Sequence, residues 1–459
     1  MKANKKEMDM LNGSLADKIL VFALPLAVTG ILQQLFNAAD IAVVGRFVGK
    51  NAMAAVGSNS PIIALIINLF TGISVGANVV IAKFIGQNRP DGVKRAVHTA
   101  LTFAVLSGTV FACICELLSR SILSLMSIPD NVFDMALLYF RVYIGGMPVI
   151  LLYDFASAIF RSRGNTRTPL ICLLVSGLIN VVLNLFFVIV LKMTVNGVAL
   201  ATVSANLISS ALLIYFLSKD NSEIHFSFRE LGIDRYTLKE MVRIGLPAGV
   251  QGMVFALSNI IIQSSINKLG EDVMAASSAA FNIEIFAYYI INAFGQACTT
   301  FVGQNHGANK PERCLKATRI AFGLDMIFTI ALSGLILLLG SPLLHIFNDD
   351  PAVIETGLIR LKFILLAEGV NVVIEICSGC MRGYGRSMVP ALICMIGICG
   401  VRITWVWTVF RAHKTFPTLL TAYPLSWCVT AAALAFSYFY MKNRSMKDFF
   451  DGKGDVLHR

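Results

Sequence analysis

The stretch TGILQQLFNAAD, Thr29 to Asp40, lies inside a long apolar run. Thr29, Gln33, Asn37 and Asp40 are spaced four, four and three residues apart. On a helix that puts all four on one face, opposite Ile31, Leu32, Leu35 and Phe36. A carboxylate well inside such a span is costly in hydrocarbon. Asp40 is therefore expected to face protein or a wet cavity and to mark a pathway, rather than sit solvated at the interface. Pro25, below it, can break the backbone ladder and bend the helix.

The composition around this stretch sets the class. The chain has 459 residues, 56% of them hydrophobic and only 14% charged, and its mean hydropathy is +0.73. A soluble chain carries about a quarter charged residues. An all-α, polytopic membrane protein is expected, with the lipid bilayer as its surroundings. The polar opening MKANKKEMDMLNGSLADK precedes a span too long for a signal-peptide core, and no small-residue cleavage site follows, so no cleaved signal is expected. The net charge of +11 fits basic cytoplasmic loops, and no nucleic-acid partner is expected. Ten cysteines are present. Cys377 and Cys380 form a CxxC within a span and without a second pair, and read as small apolar residues.

Windows of about 20 apolar residues give twelve spans, near 17–44, 53–82, 96–118, 135–160, 168–191 and 194–217, then 240–267, 274–302, 317–340, 355–381, 387–410 and 415–441. Even-numbered loops hold eighteen Lys and Arg residues, Arg161, Arg163, Arg167, Arg382 and Arg386 among them, and odd loops hold seven. The positive-inside rule puts both termini and the even loops in the cytoplasm. Glu116 and Arg141, near span ends, are expected to snorkel.

The two halves resemble each other. LPLAVTG at Leu24 matches LPAGVQG at Leu246, an offset of 222, and FRSRGNTRTP, with Arg161, matches MRGYGRSMVP, with Arg382, an offset of 221. AAVG after Met53 answers AASS after Met274, and FIGQN at Phe84 matches FVGQN at Phe301. Four matches in one order indicate an internal duplication. The expected organisation is an N-terminal six-helix lobe over 1–217, a cytoplasmic linker over 218–239 and a C-terminal six-helix lobe over 240–459 ending in a short basic tail. Parallel repeats of this kind are related by an axis along the membrane normal, with a cavity between them. Asp40 has no twin: Ile262 stands at the 222 offset, whereas Asn37 is answered by Asn259. A structural device would be expected in both copies, and a site used once per cycle needs only one.

The fifth span carries Ser176, Asn180 and Asn184, each four apart, and the sixth carries Thr202 and Asn206. With Asp40 they offer one carboxylate, amide carbonyls and a hydroxyl, an all-oxygen set suited to a hard cation or a hydrogen-bonded proton site. Bridging between packed helices is the alternative use of such residues. In the second half Glu284, Asp325, Glu368, Glu375 and Arg402 lie within spans. Glu368 and Glu375 are seven apart on one face, and Arg402 on the next span can neutralise one of them or form a structural ion pair. No HExxH or GxxxxGK[ST] occurs, so no metal, no cofactor and no ATP-driven or other enzymatic step is expected.

FNAADIAVVGRFVG, SVGANVVIAKFIGQN and FGQACTTFVGQN resemble the MATE (multidrug and toxic compound extrusion) transporters, most of all their DinF-like bacterial branch, over about 12–442. The resemblance implies a secondary antiporter of the bacterial inner (plasma) membrane with two six-helix bundles. It would export amphipathic, cationic drugs or toxic compounds, conferring antibiotic resistance, in exchange for H⁺ or Na⁺. It also implies that Asp40 is the coupling residue, with Asn180 and Thr202 beside it. Some members carry a second aspartate where this chain has Asn184, and the seventh span, GVQGMVFALSN, lacks the acid of the NorM-like branch. A site with one formal charge can hold a proton by titration, and fewer ligand charges mean weaker cation binding, so protons are expected to suffice and Na⁺ to compete weakly. Met53, Tyr153, Phe281 and Tyr288 are candidates to line the substrate cavity. A monomer moving small organic molecules is expected. The alternative, a flippase for a lipid-linked precursor, needs a strongly cationic cavity, and the spans hold Arg402 and little else basic. A membrane-embedded enzyme needs clustered ligands or a nucleophile with its base. A passive channel would pass ion current without saturable exchange.

Overall fold

The structure, a computed structural model, describes residues 8–126 and 128–450, with side chains up to 443. The extreme termini, including the basic tail expected after the last span, lie outside the described residues. The first half is built of α1 (Ala16–Phe47), α2 (Lys50–Gly86), α3 (Pro90–Ser124), α4 (Asp130–Gly145), α5 (Met147–Ser162), α6 (Arg167–Leu185) and α7 (Val195–Lys219). The second half is built of α8 (Arg235–Asn267), α9 (Glu271–Gly307), α10 (Pro311–Leu338), α11 (Gly340–His345), α12 (Pro351–Leu365), α13 (Glu368–Gly383), α14 (Met388–Cys394), α15 (Val401–Trp405), α16 (Phe416–Leu420) and α17 (Ala422–Phe450). Among the described residues ten helices, counting each run of short segments as one, are long and apolar enough to cross a membrane. The pairs α4–α5 and α12–α13, bent by 48° and 41°, bring the number to twelve. The protein is an all-α, multi-pass membrane protein.

The bends fall within the fourth and tenth spans expected over 135–160 and 355–381. In the first pair the chain turns at Gly146, and Pro148 in the opening turn of α5 has no N–H to continue the ladder. In the second pair Leu366 and Ala367 interrupt the helix without a proline.

The duplication runs deeper than the motifs. α2 and α9 both have 37 residues and start 221 apart. Six left-handed residues pair at the same offset, Gly49 with Gly270, Asn88 with Asn309, and Gly164 with Gly385, whereas Gly13 and Lys192 have no such counterpart. This corrects the FIGQN match. Asn88 and Asn309 are equivalent in the fold, so FVGQN at Phe301 sits one helical turn too early to be the counterpart of FIGQN at Phe84.

Two compact units form, and their limits differ from the lobes expected at 217 and 240. One gathers Val28–Gly249, and the other gathers Asp9–Ala27 with the chain from Val250 onward. Thus α1 starts in the second unit and ends in the first, and α8 does the reverse. Pro25 and Pro247 lie two residues before each handover, where the missing N–H loosens the helical ladder. The linker is no free joint, because it packs on the first unit. Phe226 is buried in that core. Lys94 Nζ donates to Glu230 Oε1 at 2.6 Å, the Ser227 N–H donates to His98 Nε2 at 3.1 Å, and the Asp234 N–H donates to Thr99 Oγ1 at 3.0 Å. The segment before α1 is tied down in the same way within the second unit. Arg313 Nε and Asn305 Nδ2 each donate to the Met10 carbonyl at 3.2 Å, and Lys310 Nζ donates to that of Leu11 at 3.0 Å.

Within the first unit α2 and the front of α8 touch backbone to backbone. A Cβ on Gly72 would fall 2.1 Å from Gly249 N, and one on Gly76 would fall 2.1 Å from Met241 O. Gly72/Gly76 and Gly245/Gly249 are small residues four apart, the spacing by which membrane helices approach closely without a hydrophobic drive between them. Ala293/Ala297 on α9 and Ala23/Ala27 on α1 take the corresponding places in the second unit and are buried. Phe22 of α1 meets Phe301 of α9 there, with ring centroids 5.8 Å apart.

Candidate functional site

The site grows from a contact between α1 and α6. Phe36 lies over Gly177, where a Cβ would fall 1.9 Å from the ring. That close fit sets the register of the two helices. One turn further along α1, Asp40 meets Asn184 of α6 and Thr202 of α7. Asp40 is 6% exposed, and Asn180 and Asn184 are buried with it.

Asn184 Nδ2 donates to Asp40 Oδ1 at 2.5 Å and to Asn180 Oδ1 at 3.2 Å. Thr202 Oγ1 donates to Asp40 Oδ2 at 2.9 Å and lies 3.0 Å from the Val198 carbonyl, while Asn180 Nδ2 approaches that hydroxyl at 3.4 Å. A hydroxyl has one proton and cannot serve both acceptors fully. Donation to Asp40 suits the carboxylate. Once Asp40 carries a proton, the Thr202 hydroxyl can turn to Val198 and accept from Asp40 instead. Asn184 Oδ1 is buried without a hydrogen-bond partner, an acceptor held beside the only carboxylate of the cluster. Buried orphan acceptors are rare enough to call for an explanation.

Not every residue expected here arrives. Gln33 and Asn37 are exposed and make no recorded bond to Asp40. Ser176 Oγ donates back to Leu173 O at 3.2 Å, and Asn206 Nδ2 donates to Thr202 O at 2.9 Å, so both serve their own helices. Ile262, at the twin position, is 1% exposed in an apolar cluster with Ile266, Phe410 and Phe416. Of the cavity candidates, Tyr153 is 4% exposed in the first unit's core, whereas Met53, Phe281 and Tyr288 are exposed.

The acids of the second half separate into distinct arrangements. Glu284 forms a bidentate pair with Arg360, with Nη2–Oε1 at 2.6 Å and Nε–Oε2 at 3.2 Å, and Arg360 Nη1 also donates to Ser277 Oγ at 2.7 Å. Arg382 Nη1 lies 3.8 Å from Glu375 Oε2. Asn371 Nδ2 donates to Glu368 Oε2 at 3.0 Å, and Thr329 Oγ1 donates to Asp325 Oδ1 at 3.1 Å. Arg402 pairs with neither glutamate, against expectation. Its Nε donates to Ser426 Oγ and its Nη1 to Asn259 Oδ1, both at 3.2 Å. Glu116 and Arg141 pair with each other at 3.1 Å. The ten cysteines are free.

The sequence reading missed Arg360 and Asp154. Arg360 was legible as a cation beside Lys362 in the tenth span. Asp154 accepts from Thr71 Oγ1 at 3.2 Å and interacts with Arg161. Asp154 and Arg161 answer Glu375 and Arg382 at the 221 offset that revealed the repeat. Among the described residues no group of three or more His, Cys, Asp or Glu side chains is arranged to hold a metal.

Known proteins agree with this architecture. The MatE family profile matches residues 25–186 and again 247–408, two copies 222 apart. The chain is 28% identical to "Probable multidrug resistance protein YoeA" of Bacillus subtilis over 83% of this chain and 84% of that protein. It is 26% identical to "Probable multidrug resistance protein NorM" of Thermotoga maritima, over 84% of each. A solved structure described as the outward-facing conformation of a multidrug resistance MATE family transporter superposes with a TM-score of 0.87, at 20% identity over 98% of this chain and all of that one. The duplicated profile match covers well over half of the chain, and so the protein belongs to the MatE family of multidrug efflux transporters, which move small molecules and need no cofactor.

Proposed function

We propose that this transporter is a proton-coupled antiporter of the bacterial plasma membrane, of the DinF-like type, exporting amphipathic organic compounds with Asp40 as its coupling group. Both termini are read as cytoplasmic from the loop charges. The observation that carries the proposal is the Asp40 cluster: one carboxylate, held by neutral donors, with a hydroxyl able to reverse its role. A proton adds to such a group by titration and the Thr202 bond reorganises around it. Na⁺ requires several oxygens at once, and its binding weakens as ligand charge falls. A cationic substrate and a proton would compete for the same negative charge, and a coupling ion acts only through its differential affinity for two states. A flippase is not favoured.

The test is efflux from proteoliposomes under an imposed pH gradient, with and without Na⁺. The parent is expected to run on protons alone, and an absolute Na⁺ requirement would overturn the reading. Asp40→Asn is expected to fold, insert and lose all gradient-driven efflux. Ile262→Asp should not rescue it, because that position is packed in an apolar cluster. Asn184→Asp would add a second charge at 2.5 Å, raise the proton affinity of the pair by repulsion and make efflux respond to Na⁺. An unchanged Na⁺ response would place Asn184 outside the coupling site.

A further inference from the structure

We propose that Arg402 binds the acidic group, a carboxylate or a phosphate, of an aromatic compound carried by this transporter. The proposal rests on the export function argued above and narrows its substrate class to compounds that bear such a group, zwitterions included.

Arg402 is 3% exposed on the short helix α15 within the eleventh span. Its hydrogen-bond and ring partners are all neutral: the Ser426 hydroxyl, the Asn259 carbonyl, and the rings of Tyr423 and Trp427, whose centroids lie 4.2 and 5.9 Å from the guanidinium carbon. Among the described residues no carboxylate lies within ion-pair distance of it. The other two arginines described in this unit's buried clusters do have such a partner, Arg360 in Glu284 and Arg382 in Glu375. Glu368 accepts from Asn371 and acts on Arg402 only from beyond that distance. An ionised side chain inside a span usually pairs with an opposite charge and marks a substrate or ion pathway when it does not.

The bonds to Ser426 and Asn259 engage only Nε and Nη1, which leaves donors of the guanidinium for an oxyanion. Tyr423 occupies one face of the guanidinium, but all five N–H donors lie in its plane, so stacking does not block bidentate pairing. Asn259, which holds Nη1, is itself exposed; an incoming oxyanion can take over its bond. The backbone is irregular here as well. π-helical segments at Met395–Gly400 and Val406–Phe410 enclose the single turn that carries Arg402, and such segments frequently occur at functional sites.

The test measures binding to the full chain in nanodiscs, by polarisation of the ligand's own fluorescence, for two matched pairs. One pair is a rhodamine free acid and its methyl ester, and the other is riboflavin and its phosphate monoester. The charged member of at least one pair is expected to bind about tenfold tighter, equivalent to ~1.4 kcal/mol, and the pair that shows it tells carboxylate from phosphate. Arg402→Gln should bring that ratio to about one, and Arg402→Lys, which keeps the charge but loses the planar fork, should leave part of it. Ratios near one for both pairs in the parent overturn the proposal without any variant. A full preference retained in Arg402→Gln of parental thermal stability overturns it too. If that variant does not fold, an unchanged ratio in Arg402→Lys does the same. Binding is read without a gradient, so a failure of proton coupling leaves this measurement standing.

Discussion

At the scale of single residues, the coupling cluster shows what spacing can and cannot decide. Asn180 and Asn184 were legible because one turn on α6 puts them on the same face, and Asp40 because a carboxylate in a span needs a reason. Gln33 and Asn37 share Asp40's stripe by the same arithmetic, yet both are exposed, because the rotation of α1 against its neighbours comes from packing such as Phe36 on Gly177. Glu284 and Arg360 are 76 residues apart, so no local pattern announces their pairing. Thr202 gives the sharpest test of the proton reading. Hydrogen bonds to a charged group contribute about 1.5–3 kcal/mol, so Thr202→Val should lower gradient-driven efflux about tenfold or more, by disfavouring the charged form of Asp40. Thr202→Ser keeps the hydroxyl and should retain most of the rate. Equal efflux in both variants, measured in proteoliposomes at one pH gradient, would remove the hydroxyl from the mechanism.

At the scale of elements, helix length and polarity were read well, but their interruptions were not. A hydropathy window averages over Gly146 or over Leu366 and Ala367, so it gives no sign of the bends in the fourth and tenth spans. The start of α8 depends on a detail outside the membrane. Asp234 Oδ1 accepts the Thr237 N–H at 2.8 Å and the Thr237 hydroxyl at 2.5 Å, satisfying donors that the first turn leaves open. The Thr237 hydroxyl first, then its N–H, hold the Asp234 carboxyl below its ordinary value of 3.8. The folded pKa is depressed, so the cap's contribution is complete above the unfolded carboxylate value and is lost as pH falls through the folded one. Asp234→Ala should cost about 1 kcal/mol. In thermal melts the gap between parent and variant should be constant near neutral pH and close only in acid. A gap that widened in acid would contradict the cap.

At the scale of the whole molecule, the duplication was legible because motifs recur at nearly one offset, but the exchange of α1 and α8 between units was not, because sequence order hides which partner a half-helix packs on. The repeat also sorts charges by role. Asp40 and Arg402 occur once, whereas Asp154 with Arg161 and Glu375 with Arg382 recur at the 221 offset, on α5 and α13. A feature kept in both copies is expected to serve the fold they share. Arg161 and Arg382 each bury an Nε without a hydrogen-bond partner, so their charge is compensated chiefly by the carboxylate one turn pair away. Removing one member of such a pair strands a buried charge, at a cost of about 3–5 kcal/mol, whereas removing both is far milder. Asp154→Asn and Glu375→Gln should each lower thermal stability strongly, and the doubles Asp154→Asn/Arg161→Met and Glu375→Gln/Arg382→Met should recover much of the loss. The same doubles should still couple efflux to the pH gradient in proteoliposomes, unlike Asp40→Asn. If the single variants melt like the parent but lose coupling, the duplicated pairs belong to the transport cycle, and recurrence in both copies would no longer mark a structural charge in this protein.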